Sequence, residues 1–512
     1  MKNEGEEFEI KLELDEAGMK ALADCPALKA LAVKPPRQRE LSSTYFDTSD
    51  HRLHTASIAF RIRDTGGSLI QTIKQGAEMR GGISNPIEIE APVKQLKPDP
   101  DAIADPAMLA QLEALAEFSE LRPIFSTDID RGEYELVLNG TRAELALDTG
   151  QIRSPRKVRP ICEAELELKS GDIDGFLEMA ARLFANVTIK FATASKAQKG
   201  YLQLARASDA VLKPAKAWQP KLDADSGVAN SFALVCQSTC DQILKNWAGL
   251  LTENDPEFAH QLRVGLRRQR SALRVFRGAV DNEALQTLNQ ELGHIGRVVG
   301  ALRNLDVMVD DILHPALEHA PQPTVTTRLQ KLIANLCTRE RRMVKHELRL
   351  QRWNPLLLKL ALLPYGAGWE RHISARVETG EFAQQAIQAC WNQVKKRADR
   401  LEQLSDEKRH RLRKDLKVLR YAIEFFASIL PSEKTKAFLR QLRSLQDRFG
   451  YLNDVALART LPEMLGAEEA GDPELGEAIG FVLGWHSSRA TRELAEAAKQ
   501  WKRLKRLAKP WK

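Results

Sequence analysis

The stretch EEFEIKLEL, Glu6–Leu14, decides how the first part of this 512-residue chain folds. Apolar residues alternate strictly with four charged ones, Glu7, Glu9, Lys11 and Glu13. This period of two predicts a β-strand with one apolar face and one charged face. A charged strand face usually meets solvent, and the strand alone favours that interpretation. The alternative is that the charged face lines an enclosed site for a metal ion and an anion.

Other segments of residues 1–200 repeat the pattern, with like charges two residues apart. They are Arg61 and Arg63, Glu88 and Glu90, and the triplet Glu163, Glu165 and Glu167. Like charges on one face repel unless something lies between them. A divalent cation would explain the glutamates, and a multiply charged anion would explain Arg61, Arg63, Lys11 and Lys74. Oxygen ligands favour Mg²⁺ or Mn²⁺ over zinc, and mixed charges suit a metal–phosphate complex.

The charge of the chain divides unevenly. Residues 1–200 carry 26 Lys+Arg and 33 Asp+Glu, whereas residues 201–512 carry 50 and 36. This asymmetry indicates two domains with different partners. There is no apolar run long enough for a membrane span and no signal-peptide pattern, and the six cysteines form no Cys-x-x-Cys pair. We therefore expect a cytoplasmic protein with reduced thiols.

The strand signals stop near residue 226, and long amphipathic helices follow. HQLRVGLRRQRSALRVF from His260 and HRLRKDLKVLRYAIEFF from His410 are related by an offset of 150 residues. The sequence therefore predicts an α+β first domain over 1–205 and a linker over 206–225. An all-α domain follows over 226–512, with two repeats near 230–380 and 381–510. The linker prediction rests on the Pro- and Lys-rich stretch KPAKAWQPKLDADSG, 213–227.

Further short motifs follow the opening strand in a recognisable order. They are YFDT at 45–48, FRIR at 60–63, IKQ at 73–75, IEIE at 87–90, STDIDR at 126–131, ELALDTG at 144–150, CEAELELKSG at 162–171 and ASKAQKGY at 194–201. With Glu-x-Glu-x-Lys at Glu7–Lys11, this set resembles the CYTH superfamily, the triphosphate tunnel metalloenzymes. The helical part resembles the CHAD family, named for its histidines on α-helices. The order CYTH then CHAD resembles bacterial inorganic triphosphatases.

The CYTH resemblance implies an eight-stranded antiparallel β tunnel with flanking helices that binds a linear triphosphate and Mg²⁺ or Mn²⁺. The expected metal ligands are Glu7, Glu9, Glu90, Glu163 and Glu165. The expected catalytic residues are Glu7, Glu9, Lys11, Glu88 and Glu90. The expected substrate-binding residues are Lys11, Arg61, Arg63, Lys74, Arg131, Asp148, Lys190 and Lys196. The reaction would be in-line attack by water, giving pyrophosphate and phosphate from tripolyphosphate.

The helical repeats carry basic residues at helical spacing. The two sets are His260, Arg263, Arg267, Arg270 and Arg274, and His410, Arg413, Lys414, Lys417 and Arg420. Steps of three and four residues place such side chains along one helix stripe. A solvated face with ion pairs is one interpretation. The CHAD resemblance points instead to inorganic polyphosphate, with cationic histidines as a hypothesis for pH dependence. Nucleic acid is the alternative partner, although stacking aromatics are missing from the stripe.

Two rival functions remain at this point. The chain could be a polyphosphate-binding protein without catalysis, or a class IV-type adenylate cyclase or other organic triphosphate hydrolase. The sequence carries no P-loop and no Gly-x-Gly-x-x-Gly fingerprint of the usual nucleotide folds. Tripolyphosphate turnover distinguishes the enzyme from a binding protein, and formation of cyclic AMP identifies a cyclase.

Overall fold

The computed structural model describes residues 8–76, 79, 81–84, 86–155, 157–204, 212–320, 323–370, 377–466 and 471–512. The chain divides into two compact units. The first comprises Met1–Lys213 with Arg349–Ala367, and the second comprises Pro214–Leu348 with Gly368–Lys512. No helix of the described residues combines the length and apolarity that a membrane span needs.

The first unit is built on one antiparallel sheet. Its strands are β1 Glu9–Glu13, β2 Arg37–Asp47, β3 Ile58–Asp64, β4 Leu69–Gln75, β5 Ile83–Ser84, β6 Ile87–Val93, β7 Arg122–Leu138, β8 Thr141–Arg153 and β9 Val158–Ser170. Their order across the sheet is β5-β1-β9-β8-β7-β2-β3-β4-β6. Eight of them are five residues or longer and β5 has two, so the predicted eight-stranded antiparallel architecture is confirmed.

The connection between β5 and β6 shows that the sheet curls. These two strands form opposite edges of the sheet, because β5 pairs only with β1 and β6 only with β4 among the described strands. Yet Ser84 and Ile87 are three residues apart in the chain. Three Cα–Cα steps span at most about 11 Å. The two edges therefore approach each other there, and the sheet encloses an interior.

Alternation along the strands sorts the side chains between the two faces. Ile10 and Leu12 of β1 are fully buried on the outer face, as are Phe60 and Ile62 of β3. The charged residues between them point to the interior. Helices α1 Glu16–Ala23, α2 Pro26–Leu31, α3 Arg52–Thr55, α4 Pro106–Leu115, α5 Ile173–Leu183 and α6 Lys196–Leu204 flank the sheet. Burial of the apolar face against such helices supplies most of the stability and leaves the charged face to the enclosed side.

A segment from late in the sequence completes the first unit. Residues 349–367 contain a short helix, Asn354–Leu362, that packs against α5. The side-chain amide of Asn354 donates hydrogen bonds to the backbone oxygens of Phe184, at 2.7 Å, and Val187, at 2.8 Å. These carbonyls lie just beyond the end of α5, where backbone oxygens lack intrahelical partners. This segment falls inside the range that the sequence assigns to the helical domain.

The second unit is helical, as predicted. We number its helices α7 Val228–Thr252, α8 Pro256–Val275, α9 Glu283–Val307, α10 His314–Leu317, α11 Pro323–Leu348, then α12 for Asn354–Leu362 of the first unit, α13 Thr379–Ala398, α14 Asp406–Phe425, α15 Ser432–Ala458, α16 Leu461–Leu465 and α17 Pro473–Arg506. A π-helical turn, Met308–Leu313, follows α9. The two related sequence blocks form α8 and α14, which pack against each other.

Candidate functional site

The charged face of the sheet surrounds a cavity of about 320 Å³. Eight of the nine strands and the start of α6 contribute to its wall. The basic residues are Lys11, Arg39, Arg61, Arg63, Lys74, Arg131, Lys169 and Lys196. The acidic residues are Glu9, Glu88, Glu90, Glu133, Glu144, Glu165 and Glu167. Charges of both signs thus face one enclosed space, where each is less screened than in bulk water.

Lys196 is held by three carboxylates at one end of this cavity. Its Nζ lies 2.8 Å from Oδ2 of Asp148, 2.8 Å from Oε2 of Glu163 and 2.7 Å from Oε1 of Glu165. Burial lowers the pKa of Lys196, but these carboxylates outweigh it and hold the pKa well above its ordinary value. A reciprocal capping pair between Ser195 and Gln198 fixes the first turn of α6. The ammonium group of Lys196 is therefore charged and fixed in position at the cavity.

Lys11 and Arg131 both contact Glu165, one of the three carboxylates that hold Lys196. Nζ of Lys11 lies 2.9 Å from Oε1 of Glu9 and 3.2 Å from Oε1 of Glu165. Arg131 makes a two-pronged contact with Asp148, at 2.7 and 2.6 Å, and donates to Oε2 of Glu165 at 2.8 Å. Burial raises the pKa of Asp148, yet Lys196 and Arg131 keep it below its ordinary value. Asp148 is fully buried and orients both cations.

On the opposite wall, Arg61 and Lys74 share Glu88. Nζ of Lys74 lies 2.6 Å from Oε2 of Glu88, and Nη2 of Arg61 lies 3.4 Å from its Oε1. Arg63 differs from them, because no ion pair among the described residues includes it. The charge of Arg61, then burial, then the charge of Arg131 lower the pKa of Arg63 to about 10. A cation whose pKa is lowered by other cations marks local excess positive charge, which an anion would neutralise.

Three glutamates oppose one another across neighbouring strands. Glu9 of β1 is paired with Glu167 of β9, and Glu167 is paired in turn with Glu144 of β8. Directly opposed like charges destabilise a sheet, and an oxygen-binding cation between them would remove the repulsion. Carboxylate oxygens are the donors that Mg²⁺ and Mn²⁺ prefer. In the part of the chain that the structure describes, no three acidic, His or Cys side chains yet converge on one ion position.

The second unit contains a group of cations on α8 and α14. This basic cluster consists of Arg263, Arg267, Arg413, Lys417 and Arg420, whose charges act on one another. Arg263 donates to the backbone oxygen of Gly300 at 2.8 Å and to Oδ1 of Asn304 at 3.0 Å. A side chain at Gly300 would crowd the guanidinium, since its Cβ would lie 3.2 Å from Nη1 of Arg263. Arg267 donates to the Tyr421 hydroxyl at 2.8 Å.

The cluster is short of negative charge. Burial, followed by the charges of Arg267 and Arg413, lowers the pKa of Lys417 to about 5. Asp454 is the acid that acts on Arg413 and Lys417. Burial raises the pKa of Asp454 despite Arg413. Glu424 lies 3.7 Å from Arg420, so two carboxylates face five cations. Such a cluster is stabilised when a polyanion binds.

Comparison with known families decides what these two units are. Residues 5–201 match the CYTH domain family, and residues 235–462 match the CHAD domain family. The chain joins a CYTH domain to a CHAD domain. An inorganic triphosphatase of Haemophilus influenzae is 32% identical over 167 residues, which are 32% of this chain and 45% of that protein. The chain thus matches less than half the length of that relative.

A solved structure supports the fold of the CHAD domain. The crystal structure of the CHAD domain from the plant Ricinus communis is 27% identical, with a TM-score of 0.51. The match covers 58% of this chain and 98% of the Ricinus communis chain. The match agrees with the predicted helical second domain.

Not every residue expected in the CYTH site lines its cavity. Glu7 lies outside the described residues. Glu163 is buried behind Lys196, between it and Lys199, and faces an outer groove. Lys190 lies on that groove as well, with Nζ 2.5 Å from Oε2 of Glu13 and its side chain 59% exposed. Direct roles for Glu163 and Lys190 at a substrate in the cavity therefore gain no geometric support.

The remaining expected residues of the CYTH site lie at the cavity. Lys11, Arg61, Arg63, Lys74, Arg131 and Lys196 all line it, together with Glu9, Glu88, Glu90 and Glu165. Glu90 accepts a hydrogen bond from the Thr72 hydroxyl at 2.9 Å, and its side chain is half exposed. Asp148 lies behind the wall and acts through Arg131 and Lys196.

Sequence reasoning missed several residues of the CYTH site. Arg39, Glu133 and Glu144 line the cavity. Glu167, which belongs to a charged triplet of the sequence but not to the expected site residues, also lines it and lies opposite Glu9. Lys199 is also important, because its buried Nζ bridges Oε1 of Glu13 and Oε1 of Glu163 at 2.6 Å each. One signal was available for Lys199. It follows Lys196 by three residues and so lies on the same helix face.

In the CHAD domain the expected basic residues separate into two groups. Five of them form the basic cluster. Arg274 pairs with Asp415 at 3.4 Å, Arg270 donates to Oδ1 of Asn289 at 3.0 Å, and Lys414 is exposed. Burial lowers the pKa of His260 and of His410, and basic neighbours lower both further. These shifts favour neutral imidazoles in the free protein, and cationic histidines near neutral pH stay a hypothesis for the bound state.

Proposed function

We propose that the protein is a metal-dependent inorganic triphosphatase that hydrolyses tripolyphosphate to pyrophosphate and phosphate. The observation that carries the proposal is Arg63, a cation in an enclosed cavity whose pKa is lowered by Arg61 and Arg131 and which no described carboxylate pairs. A linear triphosphate would supply the missing negative charge. The matching inorganic triphosphatase of Haemophilus influenzae supports the same substrate class.

The cavity residues would divide the work between binding and orientation. Arg61, Arg63 and Lys74 would bind phosphate oxygens from one wall. Lys11, Arg131 and Lys196 would bind them from the other wall, oriented by Asp148 and Glu165. Fixed cations around a transferring phosphoryl group offset its charge without reorganisation during the reaction. Water would attack the terminal phosphorus, the bridging P–O bond would break, and pyrophosphate would leave.

The donor chemistry of the cavity fits Mg²⁺ or Mn²⁺. Glu9, Glu144 and Glu167 lie in register across three strands and offer only oxygen ligands. Glu7, two residues before Glu9, is expected on the same face. A bound ion would polarise phosphate oxygens and lower the pKa of the attacking water. Among the sequence-based ligands, Glu90 accepts from Thr72, Glu163 pairs with Lys196 and Lys199, and Glu165 pairs with Lys11 and Arg131. Glu9 and Glu167 also pair with lysines, Lys11 and Lys169, which a bound ion would displace.

We further propose that the CHAD domain binds inorganic polyphosphate at the basic cluster. A flexible chain of phosphates could contact several of its cations at once. Because the described cluster offers little aromatic surface apart from Tyr421, which is 1% exposed and already surrounded by arginines, base stacking has little support there. Polyphosphate is therefore favoured over nucleic acid.

Phosphate release from tripolyphosphate with Mg²⁺ or Mn²⁺ tests the enzymatic proposal. ATP and long-chain polyphosphate serve as competing substrates, and formation of cyclic AMP is followed in parallel. We expect turnover of tripolyphosphate that Glu9→Gln abolishes and that Arg63→Met weakens at least tenfold in kcat/KM. Arg153→Met is the matched control, since Arg153 lies on β8, away from the cavity lining, and pairs with Asp128. Absence of turnover by the wild type rejects the proposal.

Binding of a defined polyphosphate chain tests the second proposal independently. We expect Arg413→Met and Lys417→Met each to weaken binding about tenfold, and added salt to weaken wild-type binding. Arg411→Met is the matched control, because Arg411 is exposed on the same helix and pairs with Glu407. Equal affinity of all four proteins would exclude the basic cluster as the binding surface.

A further inference from the structure

A second cavity, of about 740 Å³, lies within the CHAD domain. Its wall is formed by the chain before α8, the end of α9 with the π-helical turn, and one face of α11. None of the basic cluster lines it. Its volume is within the roughly 300–1,000 Å³ that small-molecule sites occupy. The cavity is therefore a separate candidate binding site.

Two residues at this cavity each have a buried polar atom without a hydrogen-bond partner in the described part of the chain. Arg341 places Nη2 3.4 Å from Oδ1 of Asp306, which is a weak contact. Among the described residues, Nη1 of Arg341 and Oδ2 of Asp306 are buried and unsatisfied. Asp306 is only 8% exposed. Buried polar groups are normally hydrogen-bonded, so the pair indicates a ligand that accepts from Arg341 and donates to Asp306.

A π-helical turn shapes one wall of the cavity. His486 is almost fully buried, and its Nε2 donates to the backbone oxygen of Ile312 at 2.8 Å. The Tyr451 hydroxyl lies 2.8 Å from Nδ1 of the same ring and donates to it. These contacts hold the turn Met308–Leu313, which presents Val309, Asp310 and Leu313 to the cavity. Such turns are rare and often occur at functional sites.

The wall formed by α11 provides the positive charge of the cavity. Arg341, Arg342 and Lys345 of α11 all line the cavity. Nζ of Lys345 is held by the backbone oxygen of Glu253 at 2.7 Å and by Oδ1 of Asn254 at 3.0 Å. Its charge is thus fixed in place, while the guanidinium of Arg341 still has a donor to offer. An anionic group is the natural partner for this wall.

The acidic and apolar residues limit which anion can bind. An inorganic polyphosphate offers only acceptors at neutral pH, and it would be repelled by Asp306 and Asp310. Ile333 and Val309 provide an apolar surface that a bare phosphate chain cannot use. A ligand with a phosphate at one end and an apolar ring bearing N–H groups at the other satisfies every wall. Its size and chemistry are those of a nucleotide.

We propose that this cavity binds a nucleoside monophosphate, with its phosphate on Arg341 and Arg342 and a base N–H group on Asp306. The inference is independent of the proposed triphosphatase activity. It assigns the CHAD domain a small-molecule site distinct from its basic cluster and adds a further ligand to the protein.

Isothermal titration of the full-length protein with AMP and with GMP, in metal-free buffer, tests the proposal. We expect one of them to bind with a Kd below 1 mM, and Arg341→Met to weaken binding at least tenfold. Ala334→Phe should have the same effect by filling the cavity, because Ala334 is an exposed residue of its lining. Both variants should still bind polyphosphate as the wild type does, which shows that they fold.

Three results would overturn the proposal. The first is that neither nucleotide binds the wild type, and the second is that both variants bind as tightly as the wild type. The third is that Arg63→Met in the CYTH cavity removes the binding instead. Equally tight displacement of the nucleotide by inorganic phosphate alone would also reject the organic part of the ligand. Affinity that depends on Arg341 and Ala334 but not on Arg63 would establish the site.

Discussion

Removal of the Lys199 ammonium should destabilise the CYTH domain far more than removal of a neighbouring exposed lysine. Lys199 is 6% exposed and bridges Glu13 and Glu163 at 2.6 Å each. Lys199→Met would leave Glu163, which is almost fully buried, with one of its two lysines. Breaking a buried ion pair costs about 3–5 kcal/mol. We take about 3 kcal/mol, because Lys196 and Lys190 still hold the two carboxylates.

This loss is large enough to measure by calorimetry. A unit of about 230 residues shifts its melting temperature by about 2–4 °C per kcal/mol, so we expect a decrease of about 6–12 °C. The transition of the CYTH domain is identified as the one that tripolyphosphate raises. Lys190→Met is the matched control. Lys190 contacts the same Glu13, but its side chain is 59% exposed, and an exposed pair contributes at most about 1 kcal/mol.

The loss of stability caused by Lys199→Met should also change with pH in a defined direction. Burial raises the pKa of Glu163, but Lys196 and Lys199 outweigh it and lower the pKa below 4.5. The stabilisation from this carboxylate is therefore complete above pH 4.5 and is lost as the pH falls through the lower folded-state value. The difference between Lys199→Met and wild type should be largest at pH 7 and shrink toward pH 4. Adding Glu163→Gln should recover part of it. Equal effects of Lys199→Met and Lys190→Met would refute the reasoning.

Three further outcomes follow from the charges. Arg63→Met should raise KM for tripolyphosphate about tenfold or more, and Arg63→Lys should restore part of the affinity in initial-rate measurements. A polyanion raises the pKa of Lys417 from about 5, so polyphosphate binding at pH 7.5 should take up close to one proton and weaken as pH rises. Calorimetry in two buffers of different ionisation enthalpy measures this uptake, which Lys417→Met should remove. Asp454→Asn should tighten polyphosphate binding several-fold in direct titrations, because Asp454 opposes Arg413 in the basic cluster; weaker binding would contradict this.

The sequence predicted which residues share a face, but not which faces meet. Alternation placed Glu9 with Lys11, and Arg61 with Arg63, because the side-chain period of a strand is fixed by its geometry. Whether Glu9 lies opposite Glu165 or Glu167 depends on strand register, and the pairing is Glu9 with Glu167. Register is set by turns and by the packing of the outer face. The row of Glu9, Glu167 and Glu144 was therefore beyond sequence reasoning.

The charges that surround a side chain in the folded protein were a second feature that the sequence could not predict. The helical spacing of His260 and His410 was correctly identified, and cationic histidines would suit an anion site. The free protein surrounds them with other cations and buries them in part, so their pKa values fall. Spacing shows which side chains share a stripe, whereas a pKa depends on all charges from neighbouring elements. Lys417 could not be singled out from its stripe for the same reason.

The segment Arg349–Ala367 also bears on how the protein can be made and divided. The first unit is assembled from two stretches of chain that are 135 residues apart in sequence. On a ribosome, the piece up to Lys213 emerges long before Asn354 can reach the carbonyl oxygens of Phe184 and Val187. An expression fragment cut after residue 213 would therefore leave these acceptors and the surface of α5 without their natural cover. A fragment carrying the helical repeats alone would retain the apolar helix α12 without the first unit, to which this helix belongs.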